Sequence, residues 1–201
     1  MPLPITIISG GQTGADRAGL DFALAKKMKT GGWCPRGRIC DDGIIPARYA
    51  LQETPADDYP MRTRWNVRDS DATIIFCTTG AALSQGCALT ARCCESMSRP
   101  YLLLRTPDGG EEITPEYIKK TGAQLAEFLA AHQPEVVNIA GNRERKSPGM
   151  HQLVMNLLGS AWAQYEDIAS RVAPAPEQTD FFLGVFAGHE TKAPRRAANT
   201  V

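Results

Sequence analysis

Three stretches of this chain combine glycine with hydroxyl and charged residues in the manner of anion-binding loops. The first is Ser9-Gly10-Gly11-Gln12-Thr13-Gly14-Ala15-Asp16-Arg17. Glycine has no Cβ, so the backbone can turn sharply and approach a ligand closely. A helix that follows offers unpaired N–H groups and the positive end of its dipole. The electrostatic part is worth roughly 0.3–2 kcal/mol. Thr13 adds a hydroxyl, and Arg17 a cation one turn further on. The spacing is neither GxGxxG nor Walker A, because no Lys-Ser/Thr pair follows. The same residues also suit a plain tight turn capped by Thr13 or Asp16. The second stretch, residues 79–87, holds Gly80, Ser84, Gly86 and Cys87, with Thr90 just beyond. The third, Gly141-Asn142-Arg143-Glu144-Arg145, is polar and doubly cationic. Arg36 and Arg38 are expected to complete a cationic rim, since guanidinium forks grip phosphate in two-point fashion.

Acid–base chemistry needs a carboxylate or imidazole within hydrogen-bond reach of the reacting group. Asp16, Asp71 and Glu144 are the candidate carboxylates. Asp16 reads equally as a charge in a helix's first turn, and Glu144 as a partner for Arg143. His132, His151 and His189 are scattered, so no metal site is expected. A Cys–His nucleophile would require Cys87 to meet a distant histidine. The six cysteines show no CxxC pair, which points to reduced thiols and a reducing cytoplasm. Trp33 and Trp65 either stack on a base or pack the core.

The elements that would hold these groups alternate. Ile5-Thr6-Ile7-Ile8 is a β-branched run before the first glycine loop, and Leu20, Ala23, Leu24 and Met28 mark one helical face from Asp16 to Lys29. Gly31-Gly32-Trp33-Cys34 reads as a weak strand. A polar loop from Pro35 to Tyr49 and an irregular stretch from Leu51 to Pro60 follow, with a short helix from Arg62 to Arg68. Thr73–Cys77 is a strand, Gly86–Met97 a helix and Tyr101–Leu104 a strand. Thr114-Pro115-Glu116 starts a helix by cap and proline. Glu135–Ile139 is a strand, and Ser147-Pro148-Gly149 opens a last helix with Leu153, Leu157, Leu158 and Trp162 inward. The alternation predicts an α/β fold: a Rossmann-like, doubly wound, mostly parallel sheet of five or more strands covered by helices on both faces. In such sheets ligands lie outside the carboxyl ends of the strands, where all three glycine-bearing loops would meet.

With 201 residues, one domain over residues 1–165 and an extension over 166–201 are expected. The Phe181–Phe186 run would dock on its own domain or on a second subunit, and residues 192–201 are expected to be disordered. Twenty-two basic residues balance twenty-two acidic ones. That argues against capture of nucleic acid or an anionic membrane by charge alone. No apolar stretch approaches a membrane span.

The runs Ile8–Asp21 and Gly31–Arg38 resemble the circularly permuted YpsA-type branch of the SLOG (SMF/DprA–LOG) superfamily, also labelled molybdenum carriers. Asp42–Pro46, Tyr49, Glu53-Thr54, Arg62-Thr63, Trp65–Asp71, Asn138–Glu144 and Ser147-Pro148-Gly149 extend the likeness over residues 5 to 160, but not to the tail. The resemblance implies a Rossmann-like fold, homo-oligomers and a nucleotide or nucleotide-derived ligand, with a molybdenum cofactor as an alternative. It departs from the family pattern where Gly86-Cys87 stands for Gly-Thr and Asn142 for Pro. Related phosphoribohydrolases carry Pro-Gly-Gly-x-Gly-Thr-x-x-Glu, with the Glu beside the sugar. Thr90 falls in that place here and Glu95 comes too late, so their mechanism does not transfer directly. Binding of a phosphorylated, nucleotide-type small molecule is therefore the function expected first. Hydrolysis or transfer at a nucleotide or N-glycosidic bond, and carriage of a molybdenum cofactor, are the alternatives.

Overall fold

The computed structural model describes residues 5–79, 83–107 and 113–172. β1 (Thr6–Ser9) runs through the first glycine loop into α1 (Ala15–Ala25). Five two-residue strands follow: β2 (Thr30–Gly31), β3 (Trp33–Cys34), β4 (Ile39–Cys40), β5 (Gly43–Ile44) and β6 (Gln52–Glu53). Then come α2 (Tyr59–Arg68), β7 (Ala72–Thr78), α3 (Gln85–Ser96), β8 (Tyr101–Thr106), α4 (Pro115–His132), β9 (Val136–Gly141) and α5 (Met150–Val172).

The main sheet has the order β2-β1-β9-β7-β8, and every pairing in it is parallel. The α/β fold expected from the sequence is the one present. β9, last in sequence, lies between β1 and β7: Ile8 faces Asn138, and Thr73 faces Asn138 from the other side. Carboxyl ends of β1, β9 and β7 therefore open on one edge.

Side chains alternate across the strands. Ile74 and Phe76 join Ile7, Val137 and Ile139 in the core under α1, α4 and α5. Ile75 and Cys77 point the other way, toward Cys87 and Ala91 of α3. The caps follow local chemistry. Asp58 accepts the Met61 N–H at 2.7 Å, Thr114 accepts the Tyr117 N–H at 3.1 Å, and each helix has proline in its first turn.

Several expectations are revised between residues 26 and 68. α1 ends at Ala25 rather than Lys29, and Lys27 takes a left-handed conformation. The expected strand over residues 31–34 is two strands in different sheets, bent at Gly32, where a Cβ would meet the backbone of Ser9. The polar loop contains the β4–β5 hairpin, and the irregular stretch contains β6, paired with β3. α2 starts at Tyr59, three residues before the helix expected at Arg62, because Asp58 caps it. Cys77 and Cys87 are joined as a disulfide, which corrects the expectation of six free thiols. Cys34, Cys40, Cys93 and Cys94 are free. The Phe181–Phe186 run and residues 192–201 lie outside the described residues, as does the division at residue 165, except that α5 continues past it.

Gly19 is the contact at which α1 approaches β9. A Cβ there would stand 2.6 Å from Ile139 Cβ. Gly19→Val should lower unfolding stability by about 1–3 kcal/mol through overpacking. Urea denaturation checks this, and an unchanged midpoint would contradict the packing.

Candidate functional site

The first glycine loop holds its shape by packing on other parts of the protein. A Cβ on Gly10 would collide with the Arg62 guanidinium, and one on Gly11 with Leu51 and Ile45 side chains. Gly14, at φ 82°, receives the 142–144 loop so closely that a Cβ would stand 2.6 Å from Glu144 N. These absent side chains make room for protein, not for a ligand. The first N–H of α1, from Ala15, donates to the Asn142 carbonyl at 3.1 Å. No side chain caps this helix, so neither Thr13 nor Asp16 plays the capping role considered from the sequence.

Asp16 is 3 % exposed and accepts from Arg62 Nη2 at 2.7 Å and from the Gln12 N–H at 3.4 Å. Burial pushes its carboxyl above the usual aspartate value, while the Arg62 guanidinium pulls against that rise. Gln12 joins further residues: its amide Nε2 donates to Asp41 at 3.2 Å and to the Tyr59 hydroxyl at 3.4 Å, and its Oε1 accepts from Asp41 N–H and Thr13 N–H. Arg143 pairs with Asp41 at 2.8 Å and lies over the Tyr59 ring, 4.6 Å from its centre.

Asn142 ties the edge together. Its Nδ2 donates to Thr78 Oγ1 and Ser147 Oγ, each at 2.9 Å, and its Oδ1 accepts from Ser84 Oγ at 3.1 Å. This asparagine links the end of β7 and the loop after β9 to the start of α3. Ser84 caps α3 by accepting the Cys87 N–H at 3.3 Å. Thr90 closes back on the Gly86 carbonyl at 2.9 Å. Gly86 differs from the glycines of the first loop, since a Cβ on it would meet nothing within 4 Å among the described residues.

These groups border a crevice of about 690 Å³. Tyr59 and Pro60 form one side, Ser84, Gln85 and Gly86 another, and Arg92, Arg143 and Lys146 the cationic rim. A narrower recess beside it reaches Gln12, Asp16, Arg62 and Thr90. Among the described candidate residues, Gln12, Asp16, Ser84, Gly86, Thr90, Asn142 and Arg143 thus come together. Gly80 lies outside the described residues.

Other candidates lie elsewhere. Asp71 precedes β7 and accepts from the Glu135 and Val136 N–H groups at the amino edge of the sheet, opposite the crevice. Arg38 donates to the carbonyls of Ile45, Pro46, Tyr49 and Leu51, so its guanidinium holds a loop. Arg36 is exposed and borders neither cavity, so these two arginines do not form the expected rim. Glu144 accepts the Gly149 and His151 N–H groups and caps α5, rather than pairing with Arg143. Thr13, Gly14 and Arg17 face a different cavity, and Arg17 is held by Asp42 at 2.6 Å. Trp33 and Trp65 pack edge to face on each other, away from the crevice. Sequence reasoning missed Tyr59, Asp41, Arg92 and Lys146 as site residues.

The model of the circularly permuted YpsA SLOG family matches residues 7–162. The chain belongs to that family. A crystal structure from Syntrophus aciditrophicus SB, described as a "putative molybdenum carrier protein", is 40% identical to this family member. The match has a TM-score of 0.71 and covers 80% of this chain and 96% of that one. No curated protein matches. No helix among the described residues of this SLOG protein is long and apolar enough to cross a membrane.

Arg62→Met would strand the Asp16 carboxylate in the interior, at a cost of about 3–5 kcal/mol near neutral pH. Asp16 already has its folded-state pKa raised, and loss of Arg62 raises it further. The penalty should therefore be greatest above that raised value. It should shrink as pH falls through the raised folded-state value and vanish well below the unfolded aspartate pKa of about 4, where the acid is neutral in both folded and unfolded chains. Urea titrations at several pH values check this; a pH-independent penalty would contradict it.

Proposed function

We propose that the chain binds a nucleotide, or a nucleotide-derived phosphorylated small molecule, in the crevice at the carboxyl ends of β1, β9 and β7. The observation that carries this reading is one cavity bordered by an aromatic ring, by the start of α3, and by Arg92 and Lys146, which make no ion pair among the described residues. Its volume of about 690 Å³ suits a small-molecule ligand. The Tyr59–Arg143 stack offers a base a flat polarised surface. Phosphate can accept from the first turn of α3, where Gly86 leaves the approach open. Arg92 and Lys146 are exposed at the rim, and their side chains make no ion pair among the described residues.

Two other readings have narrower support. Hydrolysis or transfer rests on Asp16, the one of the three candidate carboxylates that reaches the recess beside the crevice. Carriage of a molybdenum cofactor rests on the description of the Syntrophus protein as a "putative molybdenum carrier protein". The described residues contain no group of three or more His, Cys, Asp or Glu placed to hold a metal ion. A carried cofactor would therefore be gripped through its ring system and phosphate, by Tyr59 and the start of α3, which is the same donor set. Self-association, implied by the family, is measurable by light scattering.

A thermal-shift panel of nucleoside phosphates, ADP-ribose species and molybdopterin should raise the melting temperature for the true ligand class. By calorimetry, Tyr59→Ala should weaken that ligand by about 1–3 kcal/mol, and Lys146→Glu should weaken it while leaving the melting temperature of the free protein in place. If no member of the panel shifts the melting point at saturating concentration, the reading is wrong. Release of base or phosphate from the bound nucleotide would instead favour the enzyme.

A further inference from the structure

A second cavity, of about 370 Å³, lies between α1, α5 and the β4–β5 hairpin, bordered by Thr13, Asp41, Asp42, Glu144, Arg145 and His151. Three carboxylates in a wall suggest a cation at first sight, but each already has its partner. Asp42 takes both Arg17 Nη1 and Nη2, at 2.6 and 3.0 Å, which holds its carboxyl well below the ordinary aspartate value. Asp41 accepts from Arg143 and Gln12. Glu144 accepts the two N–H groups at the start of α5.

The groups that keep a hydrogen-bonding function open among the described residues have the opposite character. Arg145 is exposed and makes no hydrogen bond or ion pair among the described residues. His151 Nε2 sits 2.9 Å from Asp21 Oδ2, and its other ring nitrogen has no partner among them. Asp21 is itself fixed by the Tyr49 hydroxyl at 2.8 Å and by Arg48 at 3.4 Å, so the imidazole is held in one orientation. The Thr13 hydroxyl makes only a 3.5 Å contact, with Gln12 Oε1. With the acids already engaged, the open functions are a guanidinium, an oriented imidazole and a hydroxyl.

We propose that this cavity is a second ligand site for a small organic anion, whose carboxylate or phosphate group is met by Arg145, His151 and Thr13. The inference does not depend on what the crevice binds. Asp42 and its partner Arg17 line the same cavity, and their ion pair ties the hairpin to α1.

Amide NMR titration of the full chain, separately with inorganic phosphate and with succinate, tests it. For at least one probe, saturable shifts are expected at Thr13, Gly14, Arg145 and His151. Affinity there should fall at least tenfold in Arg145→Glu and in His151→Gln, which can still donate to Asp21, and should hold in the crevice variant Lys146→Glu. A response to phosphate alone identifies a phosphate-bearing ligand, and one to succinate alone a carboxylate. If neither probe gives saturable shifts at these amides, the proposal is overturned. It is likewise overturned if affinity survives Arg145→Glu, or if the response disappears only in Lys146→Glu, which would assign the anion to the crevice.

Discussion

When β9 enters the sheet between β1 and β7, its backbone hydrogen bonds are shared with two strands that are distant in sequence. A buried strand cannot slip by one residue without turning its apolar side chains to the wrong face, so this register fixes which loops meet at the carboxyl edge. The loop after β9 is thereby set against the start of α1, with the Asn142 carbonyl on the Ala15 N–H, and against the start of α3 through Asn142 and Ser84. Both cavities lie along the 142–145 loop, the crevice toward α2 and α3 and the smaller cavity toward α1 and α5.

Charge at this edge is distributed by the same packing. Asp16 and Arg62 are buried together, an arrangement that is costly to break though not strongly stabilising in itself. Asp41 and Asp42 reach in from the hairpin to Arg143 and Arg17, so a two-stranded element too short to be stable alone is anchored by ion pairs. Arg92, Lys146 and Arg145 make no ion pair among the described residues and stand at the rims. A chain with no net charge can in this way present local cationic openings.

Much of the frame was legible in the sequence because it is written in long periodic runs. Ile5–Ile8, Thr73–Cys77, Tyr101–Leu104 and Glu135–Ile139 correspond to β1, β7, β8 and β9 within a residue or two at each end. Two-residue strands carry no readable period, so the hairpin and β6 were missed. The site was harder to read, because a side chain's use depends on what the fold brings to it. Arg38 and Arg143 look alike in the chain, yet one braces carbonyls and the other borders the crevice. Tyr59 and Asp41 carried no motif signal, whereas Asp71, which precedes a strand of a parallel sheet, was already legible as lying at the amino edge, away from the carboxyl ends. Most instructive is the first glycine loop. Its glycines admit Arg62 and the 142–144 loop, and the openness expected of them is found instead at Gly86.

The most direct measurement of the central claim is a crystal structure of the full chain grown with ADP at saturating concentration. The account predicts density in the crevice, with the base against the Tyr59–Arg143 stack and a phosphate at the first turn of α3 beside Ser84 and Gly86. An empty crevice, or a nucleotide bound elsewhere on the molecule, would contradict it.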